Sequence, residues 1–188
     1  KSIIYATNNQ TNVNVTALRA TEKLQHDIED VLRAHGIYYD RRTNYYHNQG
    51  MPESAIITPL ALASGYICLL YKNPYTATSL KQKFMRDDFK YGQVFSSATD
   101  LNVWYPIAFL LKKTDEILTE LKPCVGLKTM RFLKNYRHII LFITISRLLK
   151  TFAFGEKQLI SFDLTKYTKE EIEKTINDLK EVNPNCFN

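Results

Sequence analysis

Five groups of residues have the types and spacing that chemistry needs. Asp27, Glu29 and Asp30 precede a stretch that carries Asp40-Arg41-Arg42. Metal-dependent nucleases use paired carboxylates to bind Mg²⁺ and a nearby lysine to orient the attacking water. The arginines here do not suit that lysine's place, because a guanidinium stays protonated through a proton-transfer step. Asp27 and Glu29 also read as the solvated face of an amphipathic helix, so no catalytic residue is assigned. Glu22, His26 and Asp30 fall at i, i+4 and i+8 and form one helical stripe. No second His or Cys completes a coordination shell, so no metal and no cofactor is expected.

The other three groups suit binding. Asn8, Asn9, Gln10, Thr11 and Asn12 put short polar side chains on one loop, able to meet a nucleotide edge or phosphate. The same amides serve equally to hold a turn. Tyr38, Tyr39, Tyr45 and Tyr46 are interleaved with Arg41 and Arg42, a pattern for stacking unpaired bases, with alternation sending half of the rings into a core. Charge is the most informative. From Lys122 to Lys157 there are eight basic residues against the single acid Glu156, a local net of +7 in a chain whose net is +6, so the rest is about neutral. Lys128, Arg131, Lys134 and Arg137 recur every three residues. On a helix they form a slanted ridge that can follow a phosphate backbone of DNA or RNA. The alternative is a solvent-facing half-helix whose long side chains cover apolar neighbours.

The elements that must position these groups can be read from periodicity and caps. The chain has 188 residues, 45% of them hydrophobic and 23% charged, which excludes disordered and collagen-like classes and provides for a packed core. Cys68, Cys124 and Cys186 are odd in number and far apart, so no disulfide framework is expected. No secretory leader and no run of 18 apolar residues occurs, and the reading is a cytoplasmic protein without a membrane span. Ile3 to Ala6 is strand-like. Thr21 caps a helix over about 21–35, with Leu24, Ile28, Val31 and Leu32 on one face and Gly36 at its end. Ile37 to Asp40 and Asn44 to His47 suit two strands of a hairpin. After Pro52 the pattern is helical: Thr58-Pro59 opens a buried helix through Tyr71, and Asn73-Pro74 opens another to about Met85. Thr99 or Asp100 begins a third helix, ending at Pro123, in which Pro106 marks a kink or the first turn. The longest helix is expected from Val125 to Phe154. Its half from Ile139 to Leu149 forms the centre of the core, where Ile143→Asp would bury a charge. Leu159 to Leu164 reads as extended, and Thr168 begins a last amphipathic helix. The fold class is mainly α, an α-rich α+β arrangement. It divides into a mixed segment over 1–50, the end of an upstream domain, and a helical, bundle-like domain over 51–188.

The segments Ala6-Thr7-Asn8-Asn9-Gln10-Thr11-Asn12-Val13, Leu18-Arg19-Ala20, Gln25-His26-Asp27-Ile28-Glu29 and Gly36-Ile37-Tyr38-Tyr39-Asp40-Arg41-Arg42 occur in this order and spacing. Together they resemble the bacterial abortive-infection phage-resistance family known as AIPR, over about residues 3–46 and more weakly through Phe95. Asn8, Asn9, Gln10, Gln25 and Asp40 are the motif positions. The family pattern also has an upstream Asn-Gly-x-Gln-Thr stretch, and no Asn-Gly pair occurs here. The resemblance, with Lys1 in place of Met, implies part of a longer protein whose more distinctive half lies upstream. The function expected is a non-catalytic portion of a phage-defence protein that contacts the upstream region of the same parent. Nucleic acid would meet the ridge, with Arg41, Arg42, Tyr39 and Tyr45 as a second surface. The alternatives are a nuclease or nucleic-acid-processing site completed by the upstream half, and a pure interaction or oligomerisation module.

Overall fold

A computed structural model describes residue 19, residues 21–121, residues 127–182 and residue 184, with residues 127 and 128 described by backbone alone. Helix α1 (Lys23–Arg33) buries Ile28 and Leu32 on one face, and it buries Gln25 and Glu29 one turn apart beside them. It stops as the sequence predicts. Gly36 takes φ +75°, its N–H donates to Arg33 O, and the Ile37 N–H reaches back to Leu32 O, both at 3.0 Å. This is a Schellman closure, which places a glycine where a Cβ would be strained.

The expected hairpin does not form. Strand β1 (Tyr38–Tyr39) pairs in parallel with β2 (Ile56–Ile57), in the register Tyr38 to Ile56 and Tyr39 to Ile57. Tyr45–Asn48 is a short helix, α2. The Asp40 carboxylate is the cause. It accepts the backbone N–H groups of Asn44 (2.8 Å) and Tyr46 (3.2 Å), and Asn44 takes the left-handed conformation at φ 61°. Asn and Asp make such turns through their short side chains. The chain is thereby coiled away from strand geometry just where the second strand was expected.

Helix α3 (Pro59–Leu69) begins as read, with Thr58 Oγ1 accepting the Ala61 N–H at 3.2 Å and Pro59 in the first turn. It is buried on nearly every face, and a Cβ at Gly65 would lie 2.5 Å from Leu111 Cδ1 and 2.6 Å from Ile107 Cγ2. Gly65 is therefore where α3 packs tightly on α6 (Trp104–Glu120). Between them, α4 (Pro74–Thr78) is shorter than expected, followed by a 3₁₀ turn at Gln82–Arg86 and by α5 (Asp88–Val94). Pro106 lies in the first turn of α6, where its missing N–H costs nothing.

The single long helix expected from Val125 is two: α7 (Leu127–Asn135) and α8 (Arg137–Leu149), broken at Tyr136 with φ −100° and ψ 9°. Past the break, Arg137 reaches Asp115 on α6 while His138 turns inward to α3 and α4. Ile140, Leu141 and Ile145 have no exposed surface, whereas Ile143 is only partly buried. A charge at Ile143 keeps a path to water, so Ile145 is the position at which charge would be trapped. The segment read as extended after Leu159 is also corrected: α9 (Glu156–Ile160) is helical, with the Gly155 N–H donating to the Gln158 side chain at 2.9 Å. The last helix, α10 (Lys169–Val182), buries Ile172, Thr175 and Ile176.

Among the described residues the fold is mainly α with one small early β element. Its apolar cluster runs from Ile28 to Ile176 and includes Trp104, stacked between Tyr66 and Phe95 at ring distances of 5.2 and 5.3 Å.

Candidate functional site

Helix α1 presents two buried polar side chains to β1 and α2, and each organises a network. Gln25 Oε1 accepts the Tyr39 hydroxyl at 2.5 Å, and its Nε2 donates to Tyr91 Oη at 2.8 Å. The Tyr91 hydroxyl then donates to Glu22 at 2.7 Å. This ladder ties α1, β1 and α5 together, and burial pushes the pKa of Tyr39 well up. One turn on, Glu29 Oε1 accepts the Tyr46 hydroxyl (2.5 Å) and pairs with Arg33 (3.0 Å), while Oε2 accepts Arg41 Nε at 2.5 Å. Burial alone would raise the pKa of Glu29, but the hydrogen bonds from Tyr46 and Arg41 and the two guanidinium charges outweigh it and leave it lowered.

Around Glu29 lies a pocket of about 90 Å³, lined by Arg33, Arg41, Arg42, Tyr45 and Tyr46 as well. Arg42 is exposed, with its guanidinium 6.0 Å from the centre of the Tyr45 ring, and Tyr45 is 42% exposed. Tyr39 has no exposed surface, and Arg41 is held against Glu29. Of the four residues read as a second nucleic-acid surface, Arg42 and Tyr45 therefore stand outward, Arg41 lines the pocket wall, and Tyr39 borders the pocket from within the core. Asp40, a motif position, holds the turn into α2 with both carboxylate oxygens, and Gln25 is the centre of the ladder. Asn8, Asn9 and Gln10 lie outside the described residues.

The basic ridge is divided by the helix break. Arg131 and Lys134 are exposed on α7, and the Lys128 side chain lies outside the described residues. Arg137 belongs to α8 and pairs with Asp115 at 3.2 Å. Lys134 and Arg137 line a groove of about 290 Å³ with Asp115, Leu118 and Thr119. Beside it runs a wider groove of about 660 Å³ that includes Glu53, Glu116 and Glu120. The stripe of Glu22, His26 and Asp30 gathers no ligand set, and among the described residues no group of three His, Cys, Asp or Glu side chains could hold a metal. Glu22 instead accepts from Arg19 (3.0 Å) and Tyr91.

Sequence reasoning passed over one constellation. His138 Nε2 lies 3.0 Å from Ser64 Oγ, and Nδ1 lies 3.2 Å from Thr78 Oγ1. A serine beside an imidazole is the pairing that an activated nucleophile needs. Here Ser64 is 4% and His138 1% exposed, and Ser64 Oγ donates to Ala61 O at 2.7 Å. Burial, reinforced by the Arg137 charge, lowers the His138 pKa to about 4. The cluster therefore joins α3, α4 and α8 with a neutral ring inside the core. Nothing in the local sequence signals it, since the partners are 60 and 74 residues from His138.

No helix among the described residues is long and apolar enough to cross a membrane. No curated protein and no solved structure matches the chain. A family model described as AIPR protein matches residues 1–186, through the helical half as well as the N-terminal motifs. The chain therefore belongs to the AIPR family, and with it to abortive-infection defence against phage.

Proposed function

We propose that this chain is a non-catalytic, nucleic-acid-contacting part of its phage-defence system, holding DNA or RNA without sequence preference through the exposed bases of α7. The observation that carries the reading is the local charge of +7 between Lys122 and Lys157, together with the position of Arg131 and Lys134, three residues apart on α7 and both exposed. Neither forms an ion pair among the described residues, in contrast to Arg137. Lys128 continues the same spacing. The non-catalytic part is supported by what the carboxylates nearest the motif already do: Asp40 is spent on backbone N–H groups and Glu29 on two arginines and a tyrosine.

About three phosphates contacted on duplex DNA give a slope of roughly −3 for log affinity against log salt. Reversing Arg131 and Lys134 to Glu weakens binding to all sequences about equally. Titration of the parent and the reversed variant at two salt concentrations is the test. Loss of the salt slope in the variant supports the ridge, and absence of binding at low salt overturns it. A second reading, an interaction module, is favoured by the groove in which Glu53, Asp115, Glu116 and Glu120 face the single base Lys112, which suits a basic protein surface. Incubation with Mg²⁺ or Mn²⁺ and single- or double-stranded DNA and RNA leaves the substrate intact if the chain is non-catalytic.

A further inference from the structure

We propose that the pocket over Glu29 is a binding site for a phosphate monoester carried on a stackable ring, a mononucleotide or the phosphorylated end of a nucleic acid. The inference goes beyond the ridge reading and does not depend on it. Three guanidinium groups, Arg33, Arg41 and Arg42, line the pocket against one lining carboxylate, a net charge of +2. Glu29 does not compete for the pocket's donors at large, because Tyr46, Arg33 and Arg41 already engage both its oxygens. Its role is to fix the guanidinium planes. Arg41 is held by its Nε, and Arg33 spans Glu29 and the Tyr46 hydroxyl at 3.0 and 2.9 Å. Asp30 stands outside, 3.9 Å from Arg33, on a side chain 75% exposed. Arginines fixed by a buried acid give the planar, pre-oriented donors that recognise phosphate oxygens.

Size selects the ligand. The volume of about 90 Å³ is well below the roughly 300–1,000 Å³ of pockets that enclose a whole small molecule, which suits a tetrahedral anion and is too little for a nucleoside. The ring of the ligand must therefore lie outside the pocket. At its mouth are Tyr45, 42% exposed and packed edge-on against Tyr46 with ring centres 5.0 Å apart, and the exposed Arg42 guanidinium. A base stacked on an aromatic face with an arginine beside it is a recurrent mode of recognition for single nucleotides.

The test uses the whole chain and calorimetric titration with AMP, inorganic phosphate and adenosine. AMP binds, phosphate competes for the same site, and adenosine does not bind. Arg42→Gln and Arg33→Gln each weaken AMP by about tenfold, the loss of one charge-assisted contact, with the melting curve checked because Arg33 also meets Glu29. Arg42 makes no ion pair among the described residues, so Arg42→Gln keeps the test valid if Arg33→Gln unfolds. Tyr45→Ala weakens AMP and leaves phosphate unchanged. Arg131→Glu with Lys134→Glu leaves AMP binding unchanged, which separates this site from the ridge. Preference for a 5′-phosphorylated over a 5′-hydroxyl oligonucleotide assigns the end of a polymer, and AMP binding without that preference assigns the free nucleotide. No binding of AMP, equal binding of adenosine, or insensitivity to Arg42→Gln overturns the proposal.

Discussion

The arginines around Glu29 and the bases on α7 carry the same sign of charge and are held in opposite ways. On α7, Arg131 and Lys134 are exposed and form no ion pair among the described residues, so each keeps its freedom and its hydration. Around Glu29, one carboxylate that is 6% exposed holds Arg41 and Arg33 and takes the Tyr46 hydroxyl as well. The first arrangement attracts any polyanion and orients none. The second loses one unit of charge to its acid and gains fixed geometry, and geometry distinguishes one anion from another. A surplus of basic residues along the sequence finds the first kind of region. It misses the second, because the acid that builds the site also cancels part of the charge that would reveal it.

The comparison breaks first if Glu29 can be removed cheaply. Glu29→Ala leaves Arg41, 11% exposed, and the Tyr46 hydroxyl without their shared acceptor. Breaking such a pair costs about 3–5 kcal/mol, and the lower end applies because Arg33 is half in water. Thermal and urea melts should show a loss of about 3 kcal/mol, and a variant as stable as its parent would mean that the arginines hold themselves.

A loss of similar size is expected from acid at the start of α8, the helix that follows α7. His138 titrates near 6.5 when unfolded and at about 4 when folded. Between these values the unfolded chain binds more protons, so stability falls as pH drops from about 6.5 to about 4. The shift corresponds to about 3 kcal/mol. The ring has contacts to two hydroxyls, Ser64 and Thr78, and faces the charge of Arg137. His138→Gln, which cannot titrate, should flatten that part of the stability profile measured by urea unfolding at several pH values. A slope unchanged in the variant would place the acid sensitivity of that window elsewhere.

Asp40→Ala sharpens the same contrast at lower cost. It removes the acceptor of the Asn44 and Tyr46 N–H groups, a role like that of a helix cap, worth about 1–2 kcal/mol. Because Asp40 fixes α2, which carries Tyr45, AMP binding should weaken while salt-dependent polymer binding through α7 stays as it was. Titration of both ligands against the one variant reads the two regions separately.

How much of this the sequence disclosed depends on how far apart the partners lie. The face of α1, the Gly36 closure, and the starts at Thr58-Pro59 and Asn73-Pro74 were legible because each is settled within a few residues. The hairpin was misread because Tyr39 pairs with Ile57, across a connection that alternation does not encode, and because Asp40 coils the chain that follows. The break at Tyr136 has no Pro or Gly to announce it. At the site, Arg41, Arg42 and Tyr45 were legible as residue types. From the sequence alone Glu29 reads as a solvated helix face, since the residues that bury it, Arg41 and Tyr46, come 12 and 17 positions later. Tyr39 was placed among binding rings because alternation cannot say which ring turns inward.

The smallest effect is the one that tests the ridge as a surface. Arg131 and Lys134 are exposed and have no ion-pair partners among the described residues, so reversing both to Glu breaks no ion pair among them. Surface charge changes of this kind stay within about 0.5 kcal/mol. Repulsion should even ease slightly, since the segment around them carries +7 and the double reversal lowers that charge. The acids of the neighbouring groove act against this gain, because Asp115 lines the same groove as Lys134 and would then face a glutamate. The two contributions have opposite signs, and both are screened by salt over about 10 Å at 0.1 M. Melting curves of parent and variant should therefore coincide within a few degrees at low salt and converge further at high salt. A clear destabilisation at high salt, where Coulomb effects fade, would mean that the aliphatic stems of Arg131 and Lys134 pack against the helix. The α7 bases would then be held nearly as firmly as those around Glu29, and the contrast between the two regions would fail.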